Sequence, residues 1–378
     1  MDIQGNVDLA QFSSFRVGGK AQYFFEATNS KEVQEALLFA RHNNLPTTVL
    51  GGGSNIIISD NGISGVVIYI NIKGLECVEE NANRCLLKIG AGEVWDDVVA
   101  FAVKNNLWGI ENLSAIPGKT GAFASGNIGA YGQDAAQVLQ SVQTVNIKTG
   151  EEKTFYNSEM KFAYRSSIFN SSEQGDYVIT QVALELHRTA SPNLSYKDVQ
   201  KYFEKQTTAN QDFKPSLEEI RQAIISIRSA KLPDPKEIGN AGSFFKNVLV
   251  DADGFAEIQQ TILKNYSQEA AEKITPKTDQ AAKDATTTNT LKPGIFKISA
   301  AYLVELCGLK GFSMGAAQVY PKHSLVITNT GKASANDILK LAKHIRREVY
   351  RQTKAQLMPE PIFLGFTDEE LQNFCDLT

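Results

Sequence analysis

The sequence predicts an α+β protein of two or three domains, and three observations support this class. The chain has 378 residues, of which 42% are apolar and 21% are charged, and these are the proportions of a globular protein. Strand and helix patterns alternate over roughly the first 70 residues. Strand patterns then dominate to about residue 190, and long amphipathic helix patterns return in the rest of the chain.

The first region reads as a small α/β unit. Asn29-x-x-Glu32 has the form of a capping box at a helix start. Apolar residues follow at positions 33, 36, 37 and 40, which lie on one face of a helix. The segments 47–50 and 65–71 are short and rich in β-branched residues, so we expect buried strands there.

The second region reads as an α+β body. A strand is expected at 86–89, and a short helix is expected to begin near Trp95. Two strands between 141 and 156 flank Lys148-Thr149-Gly150, which is typical of a hairpin turn. The segment 177–187 is a further long strand pattern.

The third region contains two amphipathic helices around a polar segment. Ser216-x-x-Glu219 is a capping box before one helix, and apolar positions from 338 to 349 predict the other. Residues 267–294 are rich in Ala, Thr, Lys and Gln, with few large apolar side chains to form a core. We expect a flexible insertion there, and a lid is the alternative interpretation.

Composition excludes several classes of protein. The formal net charge is −4, so a non-specific nucleic-acid binder is not expected. No apolar run approaches the ~18 residues of a membrane span, and the N-terminus lacks the pattern of a signal peptide. The four cysteines form no CxxC pair, so they are expected to be unpaired in a reducing, cytoplasmic compartment.

Two glycine-rich loops are candidate ligand sites. Gly51-Gly52-Gly53-Ser54-Asn55 follows a predicted strand, and its backbone N–H groups could form a nest for an anion. It matches neither GxGxxG nor the P-loop, and a tight turn between strands is the alternative. Residues 117–132 form a second such loop, which is either an irregular surface loop or a second wall around an extended diphosphate with a planar ring.

Three further positions could carry chemistry. Arg165 lies among aromatic and hydroxyl residues and could grip a carboxylate, although a surface arginine is the alternative. Ser243 lies between Gly242 and two phenylalanines, outside any GxSxG elbow, and could donate a proton in a dry pocket. Glu360 lies between two prolines, and an exposed loop acid is its alternative. The four histidines are scattered, so no metal site is predicted.

Taken together and in order, these segments resemble the UDP-N-acetylenolpyruvoylglucosamine reductase (MurB) family. The most specific segment is 239–247, with the sequence GNAGSFFKN, and KLPDPK at 231–236 precedes it. The other matching segments span nearly the whole chain and are 14–19, 51–55, 91–92, 111–113, 116–118, 126–132, 164–169 and 359–360. The resemblance is to the subtype with an extra substrate loop that bears a tyrosine, here Tyr196.

The resemblance implies a fold of three parts. Two subdomains, 1–72 and 73–222, would form the FAD-binding module shared with vanillyl-alcohol-oxidase/PCMH-like flavoenzymes. Residues 223–355 would form an α/β substrate-binding domain that contains the insertion 267–294. The C-terminal tail, 356–378, is expected to return to the first subdomain. A monomer is expected.

The resemblance also implies the reaction. NADPH reduces a noncovalently bound FAD, and hydride then passes to the enolpyruvyl group of UDP-N-acetylglucosamine enolpyruvate to give UDP-N-acetylmuramate for peptidoglycan synthesis. Arg165 and a protonated Glu360 would stabilise the enolate beside the carboxylate, and Ser243 would deliver the proton. The enzyme class is UDP-N-acetylmuramate dehydrogenase, with NADP as acceptor.

The resemblance also implies which residues bind FAD and the UDP-sugar. FAD would contact Gly51, Gly52, Gly53, Ser54, Asn55, Ile56, Pro117, Gly118, Gly121, Gly126, Asn127, Ile128 and Gly129. The UDP-sugar would contact Tyr164, Tyr196, Lys231 and Asn247. The chain departs from the family pattern at Met358, where an acid is common, and at Pro361 and Ile362, which replace a Val-Arg pair.

Two other functions remain open from the residues. A flavin oxidase or dehydrogenase of the same superfamily could act on a 2-hydroxy acid or an alcohol, but it would need a different third domain. A non-catalytic protein that binds a nucleotide sugar would not need Arg165, Ser243 and Glu360 together.

Overall fold

The computed structural model describes residues 2–274 and 294–377. Its α-helices are α1 (Ser30–His42), α2 (Trp95–Lys104), α3 (Thr120–Ser125), α4 (Lys197–Ala209), α5 (Leu217–Lys231), α6 (Ala252–Asn265), α7 (Gln268–Lys273), α8 (Ala300–Leu306), α9 (Ala335–Thr353) and α10 (Asp368–Cys375). Its strands are β1 (Gln4–Asp8), β2 (Lys20–Ala27), β3 (Thr47–Leu50), β4 (Ile56–Ile58), β5 (Ile63–Ile70), β6 (Leu75–Asn81), β7 (Arg84–Gly90), β8 (Gly129–Ala130), β9 (Gln133–Asp134), β10 (Leu139–Asn146), β11 (Glu152–Tyr156), β12 (Tyr177–His187), β13 (Gly239–Ser243), β14 (Val248–Val250), β15 (Phe296–Ile298), β16 (Ser313–Met314), β17 (Ala317–Val319), β18 (Val326–Asn329) and β19 (Ile362–Leu364).

The first sheet has the strand order β1-β2-β5-β3. β5 pairs in parallel with β2 and β3, and its Val66, Val67 and Ile68 are fully buried because both faces of the strand are covered. Helix α1 covers one face. Asn29 is its N-cap as predicted, since the Asn29 side chain accepts a hydrogen bond from the N–H of Glu32. The other half of the predicted capping box is different, because the Glu32 carboxylate accepts from the N–H of Thr28.

The second sheet is antiparallel, with the order β11-β10-β12-β7-β6. The predicted hairpin joins β10 to β11, and β12 has the bounds that the sequence predicts. Helices α2 and α3 pack beside this sheet, where the Trp95 and Phe123 rings stack with centroids 3.7 Å apart. These residues share one core with the buried face of α1, so the first two sheets are firmly joined.

The third sheet has the order β13-β18-β17-β16, and helix α9 packs against it. Ser334 and Asp337 form a capping box at the start of α9. Asp60, in the first region of the chain, also accepts hydrogen bonds from the N–H groups of Ala335 (2.8 Å) and Asn336 (3.0 Å). The N-terminus of α9 is therefore capped by a residue far away in sequence.

The C-terminal segment returns to the first region of the chain. β19 pairs in parallel with β4, with Ile362 opposite Ile56. The fold is thus the α+β class that the sequence predicts, with parallel pairing near the N-terminus and antiparallel sheets elsewhere.

Two sequence expectations differ from the structure. Residues 268–273, at the start of the expected flexible insertion 267–294, form helix α7. The helix is ordered because Ala270, Ala271 and Ile274 pack into the hydrophobic core of the third region. The remainder of that expectation, at 275–293, lies outside the described residues. Cys77 and Cys85 are joined in a disulfide between the neighbouring strands β6 and β7, so the cysteines give no support for a reducing compartment.

Candidate active site

The two glycine-rich loops contact each other. The first connects β3 to β4, and the hydroxyl of Ser54 donates a hydrogen bond to the carbonyl oxygen of Pro117 (3.1 Å) in the second. A Cβ atom at Gly52 would lie 2.9 Å from the Cα atom of Gly118, which is closer than real contacts allow. The two loops lie at least 60 residues apart in the sequence, and the fold brings them into direct contact.

The first loop also needs glycine for its backbone conformation. Gly53 has φ +64°, and a Cβ atom there would lie 1.8 Å from the carbonyl oxygen of Phe12. Beside it, a cavity of about 540 Å³ is lined by Ser13, Ser14, Arg16, Gly52 and Tyr69, among others. The hydroxyl of Ser13 is buried and has no hydrogen-bond partner among the residues that the structure describes. Close backbone approach and an orphan donor fit an extended anionic ligand such as the FAD diphosphate.

The second loop is tied to the segment that carries Arg165. The amide of Asn127 donates to the carbonyl oxygen of Ala163 (2.9 Å) and accepts from the N–H of Ala136 (3.1 Å). The guanidinium of Arg165 donates to the carbonyl oxygen of Gly129 (2.8 Å). Of the other predicted FAD contacts here, Gly121 lies in α3, Gly126 ends that helix, and Ile128 precedes β8. Ile56, from the first loop, opens β4.

Arg165 and Glu360 meet side chain to side chain. The Nε atom of Arg165 lies 3.2 Å from Oε1 of Glu360, and each side chain is about three-quarters buried or more, at 26% and 19% exposed. The N–H at this Nε does not point well enough at Glu360 to form a hydrogen bond, and it has no other acceptor among the described residues. One N–H donor of the charged guanidinium is therefore left without a hydrogen bond. Arg165 also has φ +54°, an uncommon conformation for a residue other than glycine.

The backbone of Glu360 connects the other parts of the site. Its N–H donates to the carbonyl oxygen of Phe244 (2.8 Å), the residue directly after Ser243. Its carbonyl oxygen accepts from the amide of Asn55 (3.3 Å) in the first glycine-rich loop. Ser243 itself ends β13 and is partly exposed. The three residues predicted to be catalytic are therefore gathered in one place by contacts of Glu360.

A cluster of Tyr164, Asn247 and Lys297 lies next to this group. Burial raises the pKa of Tyr164, and contacts with Arg165 and Asn247 oppose that rise. The Nζ atom of Lys297 is 4.8 Å from the centroid of the Tyr164 ring. Lys297 was not predicted as a site residue from the sequence. The one sequence feature that could have indicated it is a single cationic residue within the short apolar strand β15.

A second cluster holds the predicted substrate loop. Tyr196 is 44% exposed at the start of α4, and its ring meets the ring of Tyr131 edge to face at 5.2 Å. The ammonium of Lys231 forms an ion pair with Asp198 (2.6 Å), which lies in the first turn of the same helix. Tyr131 is two residues after Gly129, so one loop reaches both this cluster and Arg165.

Neither a metal site nor a membrane-spanning helix is present in the parts of the chain that the structure describes. Over residues 2–274 and 294–377, no group of three His, Cys, Asp or Glu side chains is placed to hold a metal ion. No helix in the same ranges is both long and apolar enough to cross a membrane.

Comparison with protein families gives two matches in the expected order. Residues 21–156 match a FAD binding domain, and residues 234–364 match the C-terminal domain of UDP-N-acetylenolpyruvoylglucosamine reductase. The first match covers both glycine-rich loops, and the second covers Ser243, Asn247 and Glu360. The domain match and the fit of the loops make FAD the cofactor of this protein.

Individual proteins match over nearly the whole chain. UDP-N-acetylenolpyruvoylglucosamine reductase from Bdellovibrio bacteriovorus is 33% identical, over 96% of this chain and 99% of the relative. The reductase of the same name from Pseudomonas fluorescens is 35% identical, over 96% and 98%. The crystal structure of the Thermus caldophilus reductase superposes with a TM-score of 0.62 at 22% identity, over 97% of this chain and 100% of the other, and so has the same fold. This chain belongs to the family of UDP-N-acetylenolpyruvoylglucosamine reductases.

Proposed function

We propose that this protein is an NADPH-dependent flavoenzyme that reduces UDP-N-acetylglucosamine enolpyruvate to UDP-N-acetylmuramate. This is the activity of UDP-N-acetylmuramate dehydrogenase, with NADP as acceptor, and it serves peptidoglycan precursor synthesis. The observation that carries the proposal is the contact between Arg165 and Glu360, at the point where β13 and both glycine-rich loops meet. The names of the relatives point to the same substrate.

The glycine-rich loops are proposed to hold FAD without a covalent bond. The residues involved are those at 51–56 and the glycines, Asn127 and Ile128 of the second loop. When bound, FAD supplies the hydride-transfer chemistry that no side chain can supply. The backbone N–H groups of the loops are proposed to bind the FAD diphosphate. The tight contact between the two loops fixes the distance between them.

Arg165 and Glu360 are proposed to bind the carboxylate of the enolpyruvyl group. The guanidinium is held at Gly129, and its Nε lacks an aligned acceptor, so it can take a carboxylate oxygen without losing a hydrogen bond. Glu360 is proposed to act beside that guanidinium as the second side chain that contacts this carboxylate. Donors aimed at developing negative charge lower the barrier to enolate formation.

Ser243 is proposed to donate the proton that completes the reduction. It follows Gly242, which has φ +69°, and precedes the two fully buried residues Phe244 and Phe245. Bulk water is excluded on that side, so a positioned hydroxyl can act as general acid toward the neighbouring carbon. No histidine lies in the same segment to take that role.

The UDP-sugar is proposed to lie between the two tyrosine clusters. Tyr164, Asn247 and Lys297 would face the sugar nucleotide on one side, with the ammonium of Lys297 toward a phosphate. Tyr196 would close over it, and Lys231 would exchange its ion pair with Asp198 for a phosphate oxygen. We further propose a monomer in the cytoplasm, with the boundaries 1–72, 73–222 and 223–355 and the tail 356–378 returning to the first part.

The experiment that tests this function separates the two half-reactions. Purified protein with bound FAD is first reduced anaerobically with NADPH, and UDP-N-acetylglucosamine enolpyruvate is then added. We expect bleaching of the flavin absorbance with NADPH, recovery with the enolpyruvyl substrate, and UDP-N-acetylmuramate as the product. Bleaching of the oxidised flavin by a 2-hydroxy acid, with recovery in oxygen and none with the enolpyruvyl substrate, would contradict the proposal.

A further inference from the structure

The two glycine-rich loops contain one charged side chain, and it is buried. Lys119 is the only Asp, Glu, Lys or Arg in residues 51–55 and 117–129. It is 7% exposed. Taking an ammonium group out of water costs free energy unless an opposite charge or several hydrogen bonds compensate. The contacts of Lys119 therefore bear on its role.

Those contacts provide little compensation for the charge. The ammonium donates one hydrogen bond, to the carbonyl oxygen of Ile70 (2.6 Å), and lies 3.6 Å from the centroid of the neutral Tyr69 ring. No carboxylate lies within ion-pair distance of it among the described residues, 2–274 and 294–377. A charge in this position is costly to the fold alone, which favours a role with a ligand.

Three charged groups face Lys119 from the surrounding elements. Lys73 repels it, and Glu26 and Glu93 attract it weakly. The two carboxylates are engaged elsewhere, Glu26 by the amide of Asn71 (2.6 Å) and Glu93 by Lys73 (3.5 Å). Burial, with the repulsion from Lys73, lowers the pKa of Lys119 to about 8. Burial raises the pKa of Tyr69, so the phenol stays neutral over the same range.

The position of Lys119 relates it to the cofactor site. Its backbone nitrogen would lie 3.1 Å from a Cβ atom at Gly52, so the residue packs directly against the first glycine-rich loop. The ring of Tyr69, which its ammonium touches, lines the cavity of about 540 Å³ together with Gly52. The Lys119 ammonium thus lies against a residue that lines the cavity proposed for the FAD diphosphate.

We propose that Lys119 supplies the positive charge for the diphosphate of FAD, and that cofactor binding draws a proton onto its amine when that amine is neutral. The proton comes from the solvent and converts the –NH2 group to –NH3+ beside the anion. Backbone N–H groups alone offer the diphosphate partial charges, whereas Lys119 offers a full one.

The sign of the pH dependence follows from linkage. In the free protein the amine loses its proton as the pH rises through about 8. A bound anion favours the charged form and keeps the proton on to higher pH. FAD affinity is therefore expected to be constant below pH 7 and to fall, by up to about tenfold per pH unit, above pH 8.

The test measures the proton directly. FAD is titrated into apoprotein by calorimetry at pH 6.5 and pH 8.8, each in two buffers of different ionisation enthalpy. We expect almost no proton uptake at pH 6.5 and more than half a proton at pH 8.8. Lys119→Met should bind FAD at least tenfold more weakly at pH 6.5 and take up no proton. Lys73→Met, which removes the ammonium that repels Lys119, should still take up a proton at pH 8.8 but less of it than the unsubstituted protein, because the pKa of Lys119 rises.

Two results would overturn the proposal. The first is the absence of proton uptake in the unsubstituted protein at pH 8.8, which needs no variant to be folded. The second is unchanged FAD affinity in Lys119→Met at both pH values. The melting temperature of each apoprotein is measured alongside, and a Met variant as stable as the parent with weakened FAD binding separates a role toward the ligand from a structural one.

Discussion

At the scale of single residues, the site depends on a few contacts made across long sequence distances. Arg165 touches Glu360, and Glu360 touches the residue after Ser243 and the residue Asn55. Each of these contacts involves the last part of the chain. Substitution of these side chains is expected to slow the second half-reaction more than the first, and this difference can be measured.

Ser243→Ala is expected to retain FAD and to accept hydride from NADPH at a normal rate. Reoxidation of the flavin by the enolpyruvyl substrate should slow by about 10²- to 10⁴-fold, because the general acid is missing. Stopped-flow absorbance of each half-reaction measures this difference. Ser313→Ala, on the exposed edge strand β16, is the matched control and should be normal in both. Equally fast reoxidation in Ser243→Ala would remove Ser243 from its role.

Arg165→Lys is expected to slow the second half-reaction by about 100-fold or more, since a point charge cannot replace the planar guanidinium at a developing enolate. Substrate affinity and reduction by NADPH should change much less. The melting temperature is measured on the same variant. A lower melting temperature with normal kinetics would instead make Arg165 a packing residue beside Glu360.

At the scale of elements, the first glycine-rich loop sets the position of the cofactor site. Gly53→Ala is expected to destabilise the apoprotein by roughly 3 kcal/mol or more, because φ +64° is strained for alanine and its Cβ would collide with the carbonyl oxygen of Phe12. Gly51→Ala is the matched control, since nothing lies within 4 Å of a Cβ there. Urea unfolding of both apoproteins compares them, and equal stabilities would contradict the prediction.

Elements were the part of the structure that the sequence predicted best. The cap of α1 at Asn29, the capping box at Ser216 and the bounds of β12 depend on local chemistry, which short sequence patterns report. Helix α7 was missed because its order comes from tertiary packing of Ala270 and Ala271, which composition does not reveal.

The site was predictable as a set of residues but not as an arrangement. Family motifs named Arg165 and Glu360, yet only the fold brings Glu360 to Asn55 across 305 residues. Lys297 lies outside the conspicuous motifs and Lys119 lies within one of them, and the relevance of both comes from what surrounds them. The disulfide was missed because it depends on the register of β6 against β7, which spacing alone does not fix.

At the scale of the whole molecule, the first region of the chain and the last helix-rich region are joined by hydrogen bonds that Asp60 accepts. Asp60→Ala is expected to lower the free energy of unfolding by about 0.5–2 kcal/mol, because two N–H groups at the start of α9 lose their acceptor. Asp60→Asn keeps one side-chain oxygen and should lose less. Denaturant unfolding, monitored by flavin and by tryptophan fluorescence, measures both, and no loss in the Ala variant would show that water replaces the cap.

The parallel pairing of β19 with β4 has a consequence for biosynthesis. A ribosome releases Ile56 long before Ile362, so the nascent chain carries β4 for most of translation without the strand that covers it. Glu360 arrives with that same strand, and the carboxylate site does not exist until residue 360 has been made. Non-local pairing of this kind slows folding, and the site cannot form until the segment that carries β19 has left the ribosome. A chain that stops a few dozen residues early can retain both glycine-rich loops and still lack the acid that the chemistry requires.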